Sequence, residues 1–327
     1  MKVLVIGYGS IGKRHIKNLT KLPNLELFVV TNRTTDNFLK KSNCKIFKTI
    51  EDAIQVKPSF AIICNVTSLH MKSSLLLAKS GIHLFIEKPL SNSLNNVHYL
   101  QKIIKQKKLI THVGCVMRFH PCLQKIKKIL DTKKLGKIMS VQVQNGSFLP
   151  DWHPYENYKK NYAARKDLGG GVVLTCIHEI DYLNWFFHKV KEVNSFLGKV
   201  SNLGITGEDL ASFLLRFQSN MVAEVHLDYF QKPAERNGKI IGTNGKLIWD
   251  FTTNSVKLYD IDKKRWIEIL KSHRFNKNKM YQDELDYFIN CINDKKESFN
   301  NITKASKVLE IALAVKESDK YKKVIKV

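Results

Sequence analysis

The stretch Lys2-Val-Leu-Val-Ile-Gly-Tyr-Gly-Ser-Ile-Gly12 sets four apolar residues ahead of glycines at positions 7, 9 and 12. Such a run before a turn signal reads as a buried strand, and Lys13 to Thr20 beyond it reads as a helix. In that context the spacing Gly-x-Gly-x-x-Gly gives each glycine its own task. Gly7 permits a tight turn, Gly9 lets backbone approach a pyrophosphate, and Gly12 lets the helix pack on the strand. The helix opening at Ser10 and Ile11 then presents unpaired N–H groups to phosphates. A dinucleotide-binding site is expected.

Which dinucleotide it takes is read at the end of the second strand, Leu25 to Val30, where an acidic residue would accept a bond from the ribose 2′-hydroxyl of NAD. The residues there are Thr31-Asn32-Arg33. Asn32 can bond a hydroxyl or a phosphate oxygen, and Arg33 is a planar cation suited to a 2′-phosphate, so NADP is expected over NAD. The alternative is that Arg33 stacks on the adenine or faces solvent and that Asp36 reaches back, which leaves NAD.

At 327 residues and 43% hydrophobic content the chain can form two domains with separate cores. Residues 1–120 alternate strand and helix signals, including strands at Phe60 to Cys64, His83 to Ile86 and Leu109 to Val113, with helices at Leu69 to Lys79 and Leu94 to Lys107. They predict an α/β dinucleotide-binding domain with a parallel sheet. Residues 121–327 are expected to form an α+β domain that binds substrate and carries subunit contacts. Alternation over Ile138 to Ser147, Leu210 to Phe217, Met221 to Phe230, Lys239 to Ile241 and Lys246 to Phe251, with turn signals at 218–220 and 242–245, predicts a large, mostly antiparallel sheet. Helices near Lys279 to Cys291 and Lys304 to Glu317 end the chain.

No apolar run approaches a membrane span, and the chain starts directly as strand, so a cytoplasmic protein is expected, with neither signal peptide nor membrane contact. Cysteines at 44, 64, 115, 122, 176 and 291 form no Cys-x-x-Cys pair and no ligand spacing, which predicts reduced thiols and no metal site. Lys and Arg number 54 against 29 Asp and Glu, a net charge of +25. The excess is lysine spread over the whole length without an arginine-rich arm, which reads as solvated surface rather than a nucleic-acid-binding face. It favours an anionic substrate such as a sugar phosphate or nucleotide sugar.

Chemistry is expected at two clusters. Glu87-Lys88-Pro89 follows directly on a strand whose carboxyl end should face the ligand crevice, which puts Lys88 beside the nicotinamide. Before a proline its backbone is held extended. The second cluster is Leu168-Gly-Gly-Gly-Val-Val-Leu-Thr-Cys-Ile-His-Glu-Ile-Asp181. Its glycines can let backbone come close to a ligand. One following helix is expected to carry Leu174, His178 and Asp181 on a single face, with His178 able to take a hydroxyl proton.

These motifs, together with Arg118-Phe-His-Pro121, resemble in order and spacing those of the Gfo/Idh/MocA oxidoreductases, over essentially the whole chain. The resemblance implies that Lys88 and His178 are the catalytic pair, flanking the carbon whose hydride passes to nicotinamide. It implies cofactor contacts from Glu87 and from Asn65, Thr67 and His70, the last three in a segment where Asn65 and Val66 replace the family's Thr-Pro. It assigns Arg118 and Asp181 to substrate, and it implies a homo-oligomer, dimer or tetramer. One departure is Leu174, where many members carry an aspartate. Asp181, three residues after His178, is better suited to orient the imidazole or bind another hydroxyl than to replace that group.

The stretch Leu149 to Arg165 is dense in Trp152, Tyr155, Tyr158 and Tyr162, faces that suit a sugar ring, with Arg165 or Lys166 able to hold a phosphate. The alternative is an apolar connecting loop. The segment resembles the branch of the family found with bacterial surface-polysaccharide and sialic-acid-like sugar pathways. The function expected is an NAD(P)-dependent sugar or nucleotide-sugar dehydrogenase or reductase. Its rival is a non-catalytic, cofactor-bound sensor, for which Leu174 speaks.

Overall fold

In a computed structural model, residues 1–32, 36–272 and 275–327 are described. In chain order the elements begin β1 (Lys2–Ile6), α1 (Ser10–Leu19), β2 (Glu26–Val30), α2 (Asn37–Lys41), β3 (Lys45–Phe47), α3 (Ile50–Ile54), β4 (Phe60–Ile63), α4 (Thr67–Lys79), β5 (His83–Glu87), α5 (Val97–Lys107) and β6 (Thr111–Gly114). There follow α6 (Pro121–Asp131), β7 (Ile138–Gly146), α7 (Val172–Thr175), α8 (His178–Phe187), β8 (Val190–Gly198), β9 (Leu210–Phe217), β10 (Val222–Asp228), β11 (Glu235–Gly242), β12 (Gly245–Asp250), β13 (Ser255–Asp260) and β14 (Arg265–Lys271). The chain closes with α9 (Lys277–Asn293), α10 (Ile302–Tyr321) and β15 (Ile325–Lys326).

Two compact units divide these elements: Met1–Cys115 with Asn278–Leu309, and Val116–Lys277 with Glu310–Val327. The sequence boundary at 120 falls five residues later than this division, and it left the first unit without its C-terminal segment. Local patterning cannot reveal that return, because a helix's periodicity shows that it has a buried face but not which sheet covers it.

The first unit is a six-stranded parallel sheet in the order β3-β2-β1-β4-β5-β6. Residues 60–63 and 84–87 are buried along their whole length, as a sheet covered on both faces requires. From α9, Phe288 packs edge-on against Phe60 at 5.4 Å and against Phe85 at 5.6 Å between ring centroids. The edge strand β6 is closed by the returning chain. Val113 N donates to Asn300 O at 2.9 Å, and Asn300 Nδ2 donates to Val113 O at 2.7 Å.

In the second unit nine strands form one sheet, ordered β14-β13-β12-β11-β7-β10-β9-β8-β15. Every pair is antiparallel except β7 with β10. Along β9 the residues alternate: Ala211, Phe213, Leu215 and Phe217 are buried, whereas 212, 214 and 216 face outward. The buried face carries polar ties to α10, with Ser195 Oγ donating to Val315 O at 2.6 Å. Phe196 and Leu214 stay exposed on the other face, at 70% and 44%. The strands expected from the sequence do not include β8, β13, β14 or β15.

The single helix expected through Leu174, His178 and Asp181 is two helices. Cys176 (φ −94°, ψ 34°) leaves the helical region and α8 starts afresh at His178. No proline or glycine marks this break, so tertiary packing imposes it. Leu174 and His178 therefore do not share one helix face.

The turn after β1 is where backbone meets backbone. Gly7 has φ +98°, and a Cβ there would lie 2.7 Å from Asn65 N; a Cβ on Gly12 would fall onto the carbonyl oxygen of Gly7, whereas one on Gly9 would meet nothing. Gly12→Ala is therefore expected to cost about 1 to 3 kcal/mol of stability, against about 0.5 kcal/mol or less for Gly9→Ala. Urea unfolding of the two variants against the unaltered chain measures the contrast.

Candidate functional site

The first cluster assembles at the carboxyl ends of β1, β4 and β5. Gly9 caps α1 without any side chain bonding its first N–H groups, and the space above Gly9 is open. Free amides at a helix start beside an open backbone fit a dinucleotide pyrophosphate. Ser10 is exposed and Ile11 half-buried in that first turn. Lys88 follows Glu87, the last residue of β5, and is half-buried; the Lys88–Pro89 peptide is cis.

Glu87 itself points inward. His15 Nε2 lies 2.7 Å from Glu87 Oε1, with both residues buried, and the His15 ring meets the edges of Phe85 and Tyr281. This pair ties the helix behind the glycine turn to the end of β5. Neither His15 nor Tyr281 was singled out from the sequence. The available signal was the place of His15 three residues beyond Gly12, on the face of α1 that must pack on the sheet. Burial pushes the Tyr281 phenol up, and the Glu87 carboxylate adds to that.

Of the second-loop residues, His70 is buried between two carbonyl oxygens, with Nδ1 2.8 Å from Pro89 O and Nε2 3.0 Å from Asn65 O. Burial pushes its pKa down, so the ring is neutral and donates to one of the two. It clasps the loop after β4 to the loop after Lys88, and both ring nitrogens face backbone. Asn65 donates to Ser73 Oγ at 2.9 Å, and Thr67 is buried in the first turn of α4.

At the end of β2, Asn32 is exposed; Arg33, on which the NADP expectation leans, lies outside the described residues. Asp36 does reach back. Its Oδ1 accepts from Tyr8 Oη at 2.5 Å and from Leu39 N at 3.0 Å, and its Oδ2 accepts from Lys13 Nζ at 2.6 Å. Bonds from Lys13 and Tyr8 hold its carboxyl well below the usual carboxylate range, while burial and Asp36 push the Tyr8 phenol up.

In the second unit His178 opens α8 and is nearly buried. The acidic residues after it are both engaged. Asp181 takes a two-pronged bond from Arg118, Nε to Oδ2 at 2.8 Å and Nη2 to Oδ1 at 2.6 Å, with both residues buried. Glu179 accepts from Arg236 Nε at 2.7 Å and from Asn145 Nδ2 at 3.2 Å. Arg118 and Asp181, both assigned to substrate from the resemblance, thus satisfy each other, and Asp181 bonds Arg118 at both oxygens rather than orienting the imidazole.

The glycines ahead of α7 make room for protein. A Cβ on Gly170 would fall on the carbonyl of Tyr162, and one on Gly171, at φ +104°, on the Glu208 carboxylate, which Lys316 Nζ holds at 3.0 Å. In the aromatic segment Trp152 is half-buried, donates to Ser147 Oγ at 2.9 Å and stands edge-on to Tyr229 at 5.4 Å. Tyr162 is half-buried, and Tyr158 donates to Leu203 O at 3.0 Å. Tyr155 is 77% exposed, and Arg165 pairs with Asp167 at the surface. Among the described residues no group of three His, Cys, Asp or Glu could hold a metal ion, and no helix is long and apolar enough to cross a membrane.

A six-stranded parallel sheet with an open glycine turn, followed by a nine-stranded sheet domain, defines a nicotinamide-dinucleotide oxidoreductase architecture. Residues 1–115 match the family model described as oxidoreductase family, NAD-binding Rossmann fold, and residues 123–248 match the GFO/IDH/MocA C-terminal domain. The chain belongs to the Gfo/Idh/MocA family. A myo-inositol 2-dehydrogenase of Thermotoga maritima is 23% identical, over 100% of this chain and 98% of that protein. The structure of a levoglucosan dehydrogenase in complex with NADH and levoglucosan superposes with a TM-score of 0.89 at 16% identity, covering 100% of this chain and 99% of that one. A UDP-N-acetylglucosamine 3-dehydrogenase from Acidithiobacillus ferrooxidans does so with a TM-score of 0.81 at 18% identity, covering 98% of each.

Two outcomes follow for the second unit. Arg118→Ala leaves a buried carboxylate without its counter-ion and is expected to cost about 3 to 5 kcal/mol, whereas Arg118→Met with Asp181→Leu costs much less. A double-mutant cycle by urea unfolding reads the difference. His120 caps α6 through Nδ1, 3.1 Å from Cys122 N, and its ring lies 4.6 Å from both Phe251 and Phe275. Burial, with Arg236 adding to it, pulls its pKa from 6.5 to about 4. The unfolded chain therefore takes that proton more readily, so this stability is full above about pH 6.5 and falls as the pH drops towards 4, by about 3 kcal/mol. His120→Asn, which can still cap the helix, is expected to flatten that acid limb in a series of melts against pH.

Proposed function

We propose that this protein transfers a hydride between a nicotinamide dinucleotide and a hydroxyl/ketone pair of a sugar, sugar phosphate or nucleotide sugar, as a step of bacterial glycan biosynthesis. The observation that carries the reading is Lys88. It stands directly after β5, in the sheet whose β1 ends in the open, uncapped glycine turn. The net charge of +25 supports an anionic substrate, and the likeness to polyol and nucleotide-sugar dehydrogenases supports a ring carrying hydroxyls.

Gly7, Gly9, Ser10, Ile11 and Gly12 would hold the pyrophosphate, with Asn65 and Thr67 bordering the same crevice. The bound nicotinamide supplies the hydride acceptor or donor. Lys88 holds and polarises the reacting oxygen, favouring negative charge as it develops there. His178 takes the hydroxyl proton in oxidation and returns it in reduction. Arg118 and Asp181, buried and bound to each other, do not present free charges to the substrate. Trp152, Tyr155, Tyr162 and Arg165 are the residues for the sugar and its phosphate. Asn32 and Arg33 favour NADP as the cofactor, and Asp36, which reaches back to the glycine turn, acts against that preference. The protein acts in the cytoplasm as a homo-oligomer, dimer or tetramer, for which the exposed Phe196 and Leu214 on the open sheet face offer an apolar surface.

A second reading, a cofactor-bound sensor without turnover, is favoured by two observations. Leu174 stands where a carboxylate is usual, and both oxygens of Asp181 are taken by Arg118. The two readings separate in one assay, which follows nicotinamide absorbance over a panel of sugars, sugar phosphates and nucleotide sugars with NAD and NADP. Turnover with at least one of them, faster with NADP, is expected. Lys88→Ala and His178→Ala are each expected to lose about a hundredfold or more in kcat while the cofactor KM moves only a few-fold. Ligand binding without turnover in the unaltered chain selects the sensor.

A further inference from the structure

Lys13 and Asp36 lie 23 residues apart, yet their side chains meet, and both remain open to a ligand at 44% and 40% exposure. Tyr8, the residue between Gly7 and Gly9, completes the cluster: its hydroxyl donates to Asp36, and the Lys13 ammonium lies 4.8 Å from its ring centre. The ends of β1 and β2 are neighbours here, with Ile6 paired to Val30 and Gly7 N donating to Val30 O at 3.0 Å. In a parallel sheet of this order the adenosine ribose sits over the carboxyl end of the second strand, next to the turn that holds the pyrophosphate. A carboxylate ordinarily reads the 2′ position from directly after that strand, where this chain has Thr31 and Asn32. Asp36 instead starts α2 and is drawn back to the glycine turn from that side.

Resting on the dinucleotide reading given above, we infer that the Lys13–Asp36 pair sets the ratio in which the chain takes NAD and NADP. Asp36 accepts a bond from a 2′-hydroxyl and opposes a 2′-phosphate, while Lys13 attracts the phosphate and is restrained by Asp36. Bonds from Lys13 and Tyr8 keep that carboxylate charged throughout the neutral range, so the opposition is permanent. The geometry also defines the rival account, in which Asp36 is only a strut that caps α2 and anchors Tyr8.

Asp36→Asn separates the two accounts, because asparagine caps a helix as well as aspartate and still offers Tyr8 a carbonyl oxygen. It removes only the charge. Fluorescence titration with NAD and with NADP, at low ionic strength, is expected to show the affinity ratio moving toward NADP by about threefold to tenfold in Asp36→Asn. In Lys13→Gln the ratio moves the other way by a similar factor, and both shifts shrink in high salt. A strut weakens both nucleotides together or neither, so a ratio unchanged in the variants, or moved in the same direction by both, overturns the inference while binding itself upholds the site. No binding of either nucleotide to the unaltered chain overturns the site reading, and this inference with it.

Discussion

Contact of backbone with backbone at the turn after β1 is the constraint on which the dinucleotide unit depends. Gly12 lies so close to the Gly7 carbonyl that no side chain fits between them, and Gly7 in turn abuts the chain leaving β4 at Cys64 and Asn65. That closeness fixes where α1 begins and where its uncapped amides point. It also fixes where α1 carries His15, which reaches under the turn to Glu87 and so joins the phosphate-binding helix to the strand end bearing Lys88. His70 makes the corresponding tie between the loops after β4 and β5. Three consecutive strand ends of the sheet are thereby cross-linked by buried imidazoles rather than left as independent loops.

The second unit solves a different problem, that of holding ionised groups in a dry interior next to a histidine. Glu179 and Asp181 are fully buried, and each is answered by an arginine from another element, Arg236 from β11 and Arg118 from the turn before α6. Breaking either pair strands a charge, which is why such pairs are costly to lose even where they add little net stability. The chemical consequence is selective. With Leu174 apolar and the carboxylates of Glu179 and Asp181 engaged by arginines, neither acidic residue of the first turn of α8 is left unpaired.

The glycine-rich segment shows why motif and role must be separated. Gly169 to Gly171 suggest a backbone opened to a ligand, but at Gly170 the structure fills that space with the carbonyls of Tyr162, Ala163 and Arg165, and at Gly171 with the Glu208 carboxylate. Gly170 serves the close approach of the backbone at Tyr162, Ala163 and Arg165, and Gly171 that of Glu208.

Local signals in the chain were enough to specify several elements. The apolar run, the glycine spacing and the strand–helix alternation specify the parallel sheet and its phosphate-binding turn. The alternation from Ile138 onward specifies a sheet with one buried and one open face. The motifs Glu87-Lys88-Pro89 and Gly169-Gly-Gly…His178 marked the two segments that carry the candidate chemistry. What those residues bond to is set by the folded chain. The pairing of Arg118 with Asp181, of His15 with Glu87 and of Asp36 with Lys13 joins positions 63, 72 and 23 residues apart, and no local periodicity encodes a partner at that separation. The break at Cys176 and the return of Asn278–Leu309 to the first unit belong to the same class. Each follows from which surface of a helix is covered by which sheet, a choice made by long-range packing of apolar faces and by the need to neutralise every buried charge.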